Sequence, residues 1–256
     1  GVTGGDLVVP LGGPLSVSLG AQASIEQIRA PFVHPGVNGE ARPSYGFYAG
    51  AKAAGLLDAL DLSLSLPGDL APISAKLEYS YRASAVYYSD VFGLWLAAAS
   101  AFRTPTYVEA ASRFTDRTSG LILLEGTDSI AAPRNTSIEL GGTLLPHSGL
   151  IISPSVFVSR LTNLMMEDFE PVVRRTFRTE PDTRTYFGAE LAATWRVSDA
   201  LSILPSVSHL RFLDATERLD TNVGVPSQNS RYLAALRLQG LFADETWGYG
   251  VGASVA

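Results

Sequence analysis

Leu94-Trp95-Leu96-Ala97-Ala98-Ala99-Ser100-Ala101-Phe102 is an almost unbroken apolar run that ends on Arg103-Thr104-Pro105-Thr106-Tyr107-Val108-Glu109. A second segment opens at Pro133-Arg134-Asn135-Thr136-Ser137-Ile138-Glu139-Leu140-Gly141 and alternates polar with apolar. Residues 110–132 between them show no regular apolar period. Strand, long loop and returning strand make a hairpin with a very large tip, and most of the chain repeats that plan. The apolar first strand leaves its own orientation open; the alternating second strand has two distinct faces.

Moving outward, the alternation recurs. Leu15, Val17, Leu19, Ala21, Ala23 and Ile25 fall on one face, and Ser16, Ser18, Gly20, Gln22, Ser24 and Glu26 on the other. Ser44–Ala54 sets Tyr45, Phe47, Ala49, Ala51 and Ala53 against Gly46, Gly50 and Lys52. Leu57–Leu66 sets four leucines against Asp61, Ser63 and Ser65, although GLLDAL at 55–60 also suits a helix. Further strands are expected over 73–82, 150–162, 186–196, 201–212, 232–242 and 247–255, with a shorter one over 4–10. Tight turns are expected at Leu11-Gly12-Gly13, Pro67-Gly68-Asp69, Pro146-His147-Ser148-Gly149, Ser198-Asp199 and Asp244-Glu245. Polar loops cover 29–43, 164–183 and 214–229.

Short turns thus alternate with long loops, and formal charges in mid-strand (Lys52, Asp61, Lys76, Glu78, Arg82, Glu139, Glu190, Arg196, Arg237) keep to the polar faces. Lipid solvates no charge, so an apolar outside and a wet inside require this division. A barrel strand crosses a membrane in roughly 9–11 residues with every second one apolar. Aromatic pairs at strand ends (Tyr45 and Phe47, Tyr87 and Tyr88), with Trp195, Phe212 and Trp247, suit an interface girdle. A soluble β-sandwich also alternates, but with strands nearer 5–6 residues and without this loop pattern. The expected fold is therefore all-β, an antiparallel transmembrane β-barrel, with residues 1–256 as a single barrel segment.

Composition narrows the function. The net charge of −6 argues against nucleic acid as a partner. There is no cysteine, hence no disulfide, thiol nucleophile or thiolate metal site. No apolar run is long enough for a membrane-spanning helix. GVTGGDLVVP at the start has neither the charged head nor the apolar core of a signal peptide. No Ser-His-Asp or paired-carboxylate constellation stands out, so no catalytic residues, and no cofactor, are expected. His34, His147 and His209 lie far apart, and Glu167, Asp168 and Glu170 lack a full calcium ligand set. Asn135-Thr136-Ser137 matches a glycosylation sequon by chance, and Gly248-Tyr249-Gly250-Val251-Gly252 is no phosphate loop.

The segment from Phe102 to Glu109 resembles the barrel of TonB-dependent outer-membrane receptors, which carry an aromatic-Arg-X-Pro-X-Leu/Tyr-X-Glu stretch at the outer end of a mid-barrel strand. Pro133 to Gly141 is similar to the family's next strand, with Arg134 where glutamate is commoner. Ser155 to Leu164, running into Asn163-Leu164, and Phe187-Gly188-Ala189-Glu190-Leu191 resemble the two that follow. The resemblance covers about residues 90–215. It implies a bacterial outer-membrane receptor that takes up a scarce nutrient such as a ferric siderophore, with iron uptake the commonest case, and that is not an enzyme. The implied partners are outer-membrane lipid, the receptor's own plug domain, a TonB-type energising complex acting through that plug, and small-molecule cargo.

No plug is recognisable in the sequence, and GVGASVA at the end lacks a terminal aromatic. About twelve strands are legible against about 22 expected for such a transporter, so the chain reads as a slice of a larger barrel. The alternative is a non-energised, porin-like or scaffold barrel. Candidate ligand contacts in the loops are Arg103, Tyr107, Arg113, Arg117, Arg174, Arg175 and Arg178, where guanidinium groups suit an anionic chelate. At Arg103, Tyr107 and Glu109 the other reading is a girdle residue and a structural turn. Lys76, Glu78, Arg82, Glu139, Glu190 and Arg196 are the candidate lumen residues that would face the plug.

Overall fold

A computed structural model describes residues 2–27, 29–30, 33, 38–70, 76–116, 118–127, 129–169, 175–180, 182–198, 200–213, 230–241 and 248–255. The wall of the molecule begins with β1 (Val2–Gly12), β2 (Leu15–Gln27), β3 (Ala41–Leu56), β4 (Leu60–Leu70), β5 (Leu77–Tyr79), β6 (Tyr81–Tyr88) and β7 (Phe92–Phe102). A loop region follows, with α1 (Tyr107–Ala111), β8 (Arg113–Thr115) and β9 (Ile122–Glu125). The wall resumes with β10 (Arg134–His147) and β11 (Leu150–Thr162), and a second loop region holds β12 (Leu164–Phe169) and β13 (Arg175–Glu180). It closes with β14 (Arg184–Ser198), β15 (Leu201–Phe212), β16 (Ser230–Leu241) and β17 (Gly248–Val255).

The wall is one antiparallel sheet in the order β1-β2-β3-β4-β6-β7-β10-β11-β14-β15-β16-β17, with β5 paired to β4. Every connection at one end is short, and every one at the other end is long, as the sequence pattern requires. Within this sheet β1 pairs only with β2 and β17 only with β16, so the sheet is an open arc of a barrel.

Register fixes the faces, because directly opposed residues in a ladder share one. Leu19 opposes Leu7 and Ala49; Leu140 opposes Leu96 and Val156; Val158 opposes Phe187. These apolar side chains are largely exposed, as Leu96, Leu140 and Ile138 each show at half or more of their surface. The other face joins Lys52 to Ser16 and Ser63, Arg82 to Ser65, and Glu190 to Ser155 and Ser208. β7, apolar on both sides, is oriented by its neighbour: Ala97 opposes Glu139 and Leu96 opposes Leu140. A wall with one polar and one lipid-soluble face buries little against itself, and its ladder hydrogen bonds hold it together.

Several expectations change. Pro67-Gly68-Asp69 does not turn the chain but lies inside β4, opposite Tyr48, Phe47 and Gly46. Pro67 sits between the end of the β4–β6 ladder at Ser65 and the start of the β4–β5 ladder at Gly68, where its missing N–H leaves no bond unmade. Gly68 is bare because the Phe47 ring occupies the space a Cβ would fill. A turn lies earlier: Gly55, Leu57 and Asp58 all have positive φ, so GLLDAL forms no helix but the turn from the end of β3 at Leu56 to the start of β4 at Leu60. The strand expected over 73–82 is broken at Ser80, whose N–H donates to Pro67 O, and its residues 73–75 lie outside the described residues. Phe212 is no girdle residue: it opposes Tyr186 on the polar face, where Phe157, Tyr186 and Phe212 form an aromatic row. Trp247, the third polar loop and the Asp244-Glu245 turn lie outside the described residues.

Candidate functional site

The two long loops are not irregular. β12, β13, β9 and β8 form a second, four-stranded sheet, in which β13 runs parallel to β9 through Arg175↔Leu124 and Thr176↔Glu125. Strands from two different hairpins are thus joined outside the wall. The loop between β2 and β3 joins as well, through a bridge from Val33 to Ser112. Val33, Ala110, Ala111, Ile130 and Ala132 are buried here, so the loop layer holds nearly all the buried apolar side chains among the described residues; Ala97 in the wall is the other.

Local chemistry explains the layer. Thr106 caps α1 by accepting from the Glu109 N–H at 3.3 Å, and Glu109 returns a bond from the Thr106 N–H at 2.7 Å. This capping box satisfies two orphan donors of a helix of a single turn or so. The Arg103 guanidinium grips the same carboxylate with both terminal nitrogens, at 2.9 and 3.0 Å. Burial alone would raise the Glu109 pKa, but the bonds from Arg103 and Thr106 outweigh it and hold the carboxyl below the usual range. Gly126 lies against the end of the helix, its N–H donating to Ser112 O, and a Cβ there would meet the backbone of Ala110, Ala111 and Ser112. Asn163, with φ +55°, turns the chain from wall strand β11 into loop strand β12 and donates to Ala132 O.

The expected ligand residues are distributed as follows. Arg103 is committed to Glu109. Tyr107 sits on α1, and burial first, then the charge of Glu26, pushes its phenol up, with Arg42 opposing. Arg113 opens β8 opposite Glu125, and Arg178 opposes Met166 in the β12–β13 ladder. Arg175 pairs with Glu167 at 3.4 Å on the rim of an open cleft of about 640 Å³, lined by Val108, Phe114, Leu123, Leu124 and Phe177. Arg113, Arg175 and Arg178 are therefore brought into one sheet. Arg117 and Arg174 lie outside the described residues, as does Glu170, and Glu167 faces Arg175 rather than a carboxylate cluster.

Of the lumen candidates, Arg82, Glu139, Glu190 and Arg196 lie on the polar face, Glu139 and Glu190 in mid-wall, Arg196 toward its short-turn end and Arg82 one residue from the long-connection end of β6. Lys76 and Glu78 belong to the loop end. The Glu78 carboxylate takes a bond of 3.2 Å from Arg134, which also donates to Tyr79 O and Ser100 Oγ and lies over the Tyr79 ring. Arg134, the departure noted in the sequence, thus ties β10 to β5 across β7. Sequence reasoning missed this tie and the whole loop sheet. The Thr106-x-x-Glu109 capping box was the one local signal that could have revealed α1.

The family model described as TonB dependent receptor-like, beta-barrel matches residues 14–255. The chain belongs to the TonB-dependent receptor barrels. Among solved structures, a fold of this shape recurs in the siderophore receptor PirA from Pseudomonas aeruginosa. It is 15% identical, with a TM-score of 0.74, over 99% of this chain and 45% of that one. The ferric enterobactin receptor PfeA of the same organism, as the R480A mutant in complex with enterobactin, is 15% identical with a TM-score of 0.65. That match covers 96% of this chain and 39% of the receptor. The FrpB iron transporter from Neisseria meningitidis is 12% identical with a TM-score of 0.63, over 97% and 41%. The chain spans less than half the length of these receptors. No curated protein matches it in sequence. TonB-dependent receptors reside in the bacterial outer membrane, and in a transmembrane barrel of this kind the apolar face of the wall is the one that suits lipid and the polar face the one that suits the lumen.

Proposed function

We propose that this wall belongs to an active outer-membrane receptor that captures a scarce nutrient, such as a ferric siderophore, and admits it at the expense of a TonB-type energising complex. The observation that carries the reading is the segregation of charge. Both signs line the inner face, while among the described strand residues no acid lies on the outer face by register, the Glu78 carboxylate at the loop end being joined to Arg134. A mixed-charge wall with serine between the charges suits a folded polar plug better than a steady current of ions of one sign. Lys76, Arg82, Glu139, Glu190 and Arg196 are assigned to hold that plug. Arg113, Arg175 and Arg178 on the loop sheet, with Tyr107 on α1, are assigned to the first contact with anionic cargo.

The test is uptake of iron-labelled siderophores by cells that carry the full-length protein as their sole receptor, with and without TonB. Accumulation that requires TonB and collapses with the proton gradient is the expected result. Accumulation independent of TonB would instead mean the porin-like alternative.

A further inference from the structure

One guanidinium in the loop layer serves two partners. Both terminal nitrogens of Arg103 bond to Glu109, and Nη2 also directs a donor at Met165 Sδ, 3.8 Å away. A thioether is a weak acceptor, so this last contact contributes little as it stands. Its position gives it weight. Arg103 follows β7 and, through Glu109, holds α1, whereas Met165 belongs to β12 in the loop of the next hairpin. The contact therefore joins two separate loops, in addition to the short parallel pairing of β9 with β13.

Register sets Met165 opposite Thr179 and on the face of Glu167 and Phe177, which line the cleft. Thr179 is itself fixed, its Oγ1 accepting from the Ala131 N–H at 3.0 Å. The adjacent Met166 takes the other face, opposite Arg178. These are the only two methionines in the chain, and there is no cysteine to compete with them for an oxidant. Met165 is half-buried rather than sealed, so a small oxidant can reach its sulfur.

We propose that Met165 is a reversible oxidation site whose sulfoxide clamps the two loops together through Arg103. Hydrogen peroxide supplies the oxygen. A sulfur lone pair forms the S–O bond as the O–O bond breaks, and the proton on the transferred oxygen passes to the departing hydroxide, which leaves as water. The thioether loses two electrons and the peroxide gains them. A sulfoxide in an apolar site would loosen its surroundings, because its dipole would lose water without gaining a donor. Here the new oxygen forms on a sulfur already in contact with Arg103 Nη2. Rotation about the terminal side-chain bonds brings the oxygen of one sulfoxide epimer onto that nitrogen, so a charge-assisted bond replaces a weak one. The same guanidinium keeps its grip on Glu109, and α1 and β12 become tied through a single cation.

The test treats the full-length receptor in detergent with hydrogen peroxide, maps oxidation by peptide mass spectrometry, and follows amide exchange in α1 and β12. The expected result is sulfoxide at Met165, with exchange in both elements slowed about threefold or more. Methionine sulfoxide reductases of both epimer specificities should restore the original rates. M165L should not slow in peroxide, and M166L should respond as the parent does. M165Q, whose side-chain carbonyl oxygen can take the place of the sulfoxide oxygen, should be slow without any peroxide. Exchange in the wall strands, unchanged from the parent, identifies variants that have kept the barrel. Met165 left unoxidised would overturn the proposal, as would unchanged or faster exchange in the oxidised parent, or equal slowing in M165L.

Discussion

The wall and the loop layer are stabilised by opposite means. The wall is a single sheet with water on one side and lipid on the other. Its order comes from ladder hydrogen bonds and from the alternation of side chains across the pleat. The loop layer is a small dry core, with Val33, Ala110, Ala111, Ile130 and Ala132 enclosed by a helix and a mixed sheet. Volume should therefore matter in the loops, and polarity in the wall.

Ile130→Ala should be the severest change of volume, costing the loop layer about 2–5 kcal/mol. Amide exchange in β9 and β13 would accelerate while the wall strands stay protected; equal loss in both regions would merge the two. Ile138→Ala, on the outer face, should cost less because acyl chains refill the space. Polarity reverses the order. Leu140→Arg should destabilise the wall by about 2–4 kcal/mol, whereas Ser137→Arg on the same strand should fold nearly as well. Urea unfolding in lipid vesicles reads this contrast, and similar losses for both would show that the faces are misassigned.

Gly126→Ala sharpens the comparison from inside the loop layer, because a Cβ there meets helix backbone that cannot yield as a side chain would. The expected cost is about 1–3 kcal/mol, seen as faster proteolysis between residues 103 and 133 in an intact barrel. Glu109→Gln keeps shape and removes charge, and should cost about 0.5–2 kcal/mol at the cap. The pH dependence has a definite sign. Folding lowers the Glu109 pKa, so its contribution is present above the unfolded carboxyl value of about 4.3 and is lost as pH falls through the lower folded value. Protection of the α1 amides, taken as exchange relative to the intrinsic rate at each pH from 6 down to 3, should therefore fall at the acid end, and do so less in the glutamine variant.

What the sequence disclosed follows the same line. Period-two alternation is forced by the two solvents of the wall, so β2, β11 and β15 could be placed almost to the residue. The loop sheet has no such forcing: β8, β9, β12 and β13 are 3–6 residues long and packed on one another. No period survives over so few positions, and a parallel pairing between separate hairpins leaves no local trace. Pro67 and Gly68 misled for a related reason, since their usual meaning as a turn is overridden by a gap in pairing and by the Phe47 ring. The candidate arginines were visible as residue types, but which of them were already engaged, as Arg103 is with Glu109 and Arg175 with Glu167, depended on how the loops fold.

The parallel contact between β9 and β13 also has a bearing on time. Its two strands are carried by hairpins β7–β10 and β11–β14, so neither can find its partner until both hairpins stand side by side in the sheet. Completion of the surface layer thus reports that four consecutive strands have been inserted in correct order. A protease directed at residues 103–133 during biogenesis would find them open on the early intermediates and closed once the fourth strand is seated.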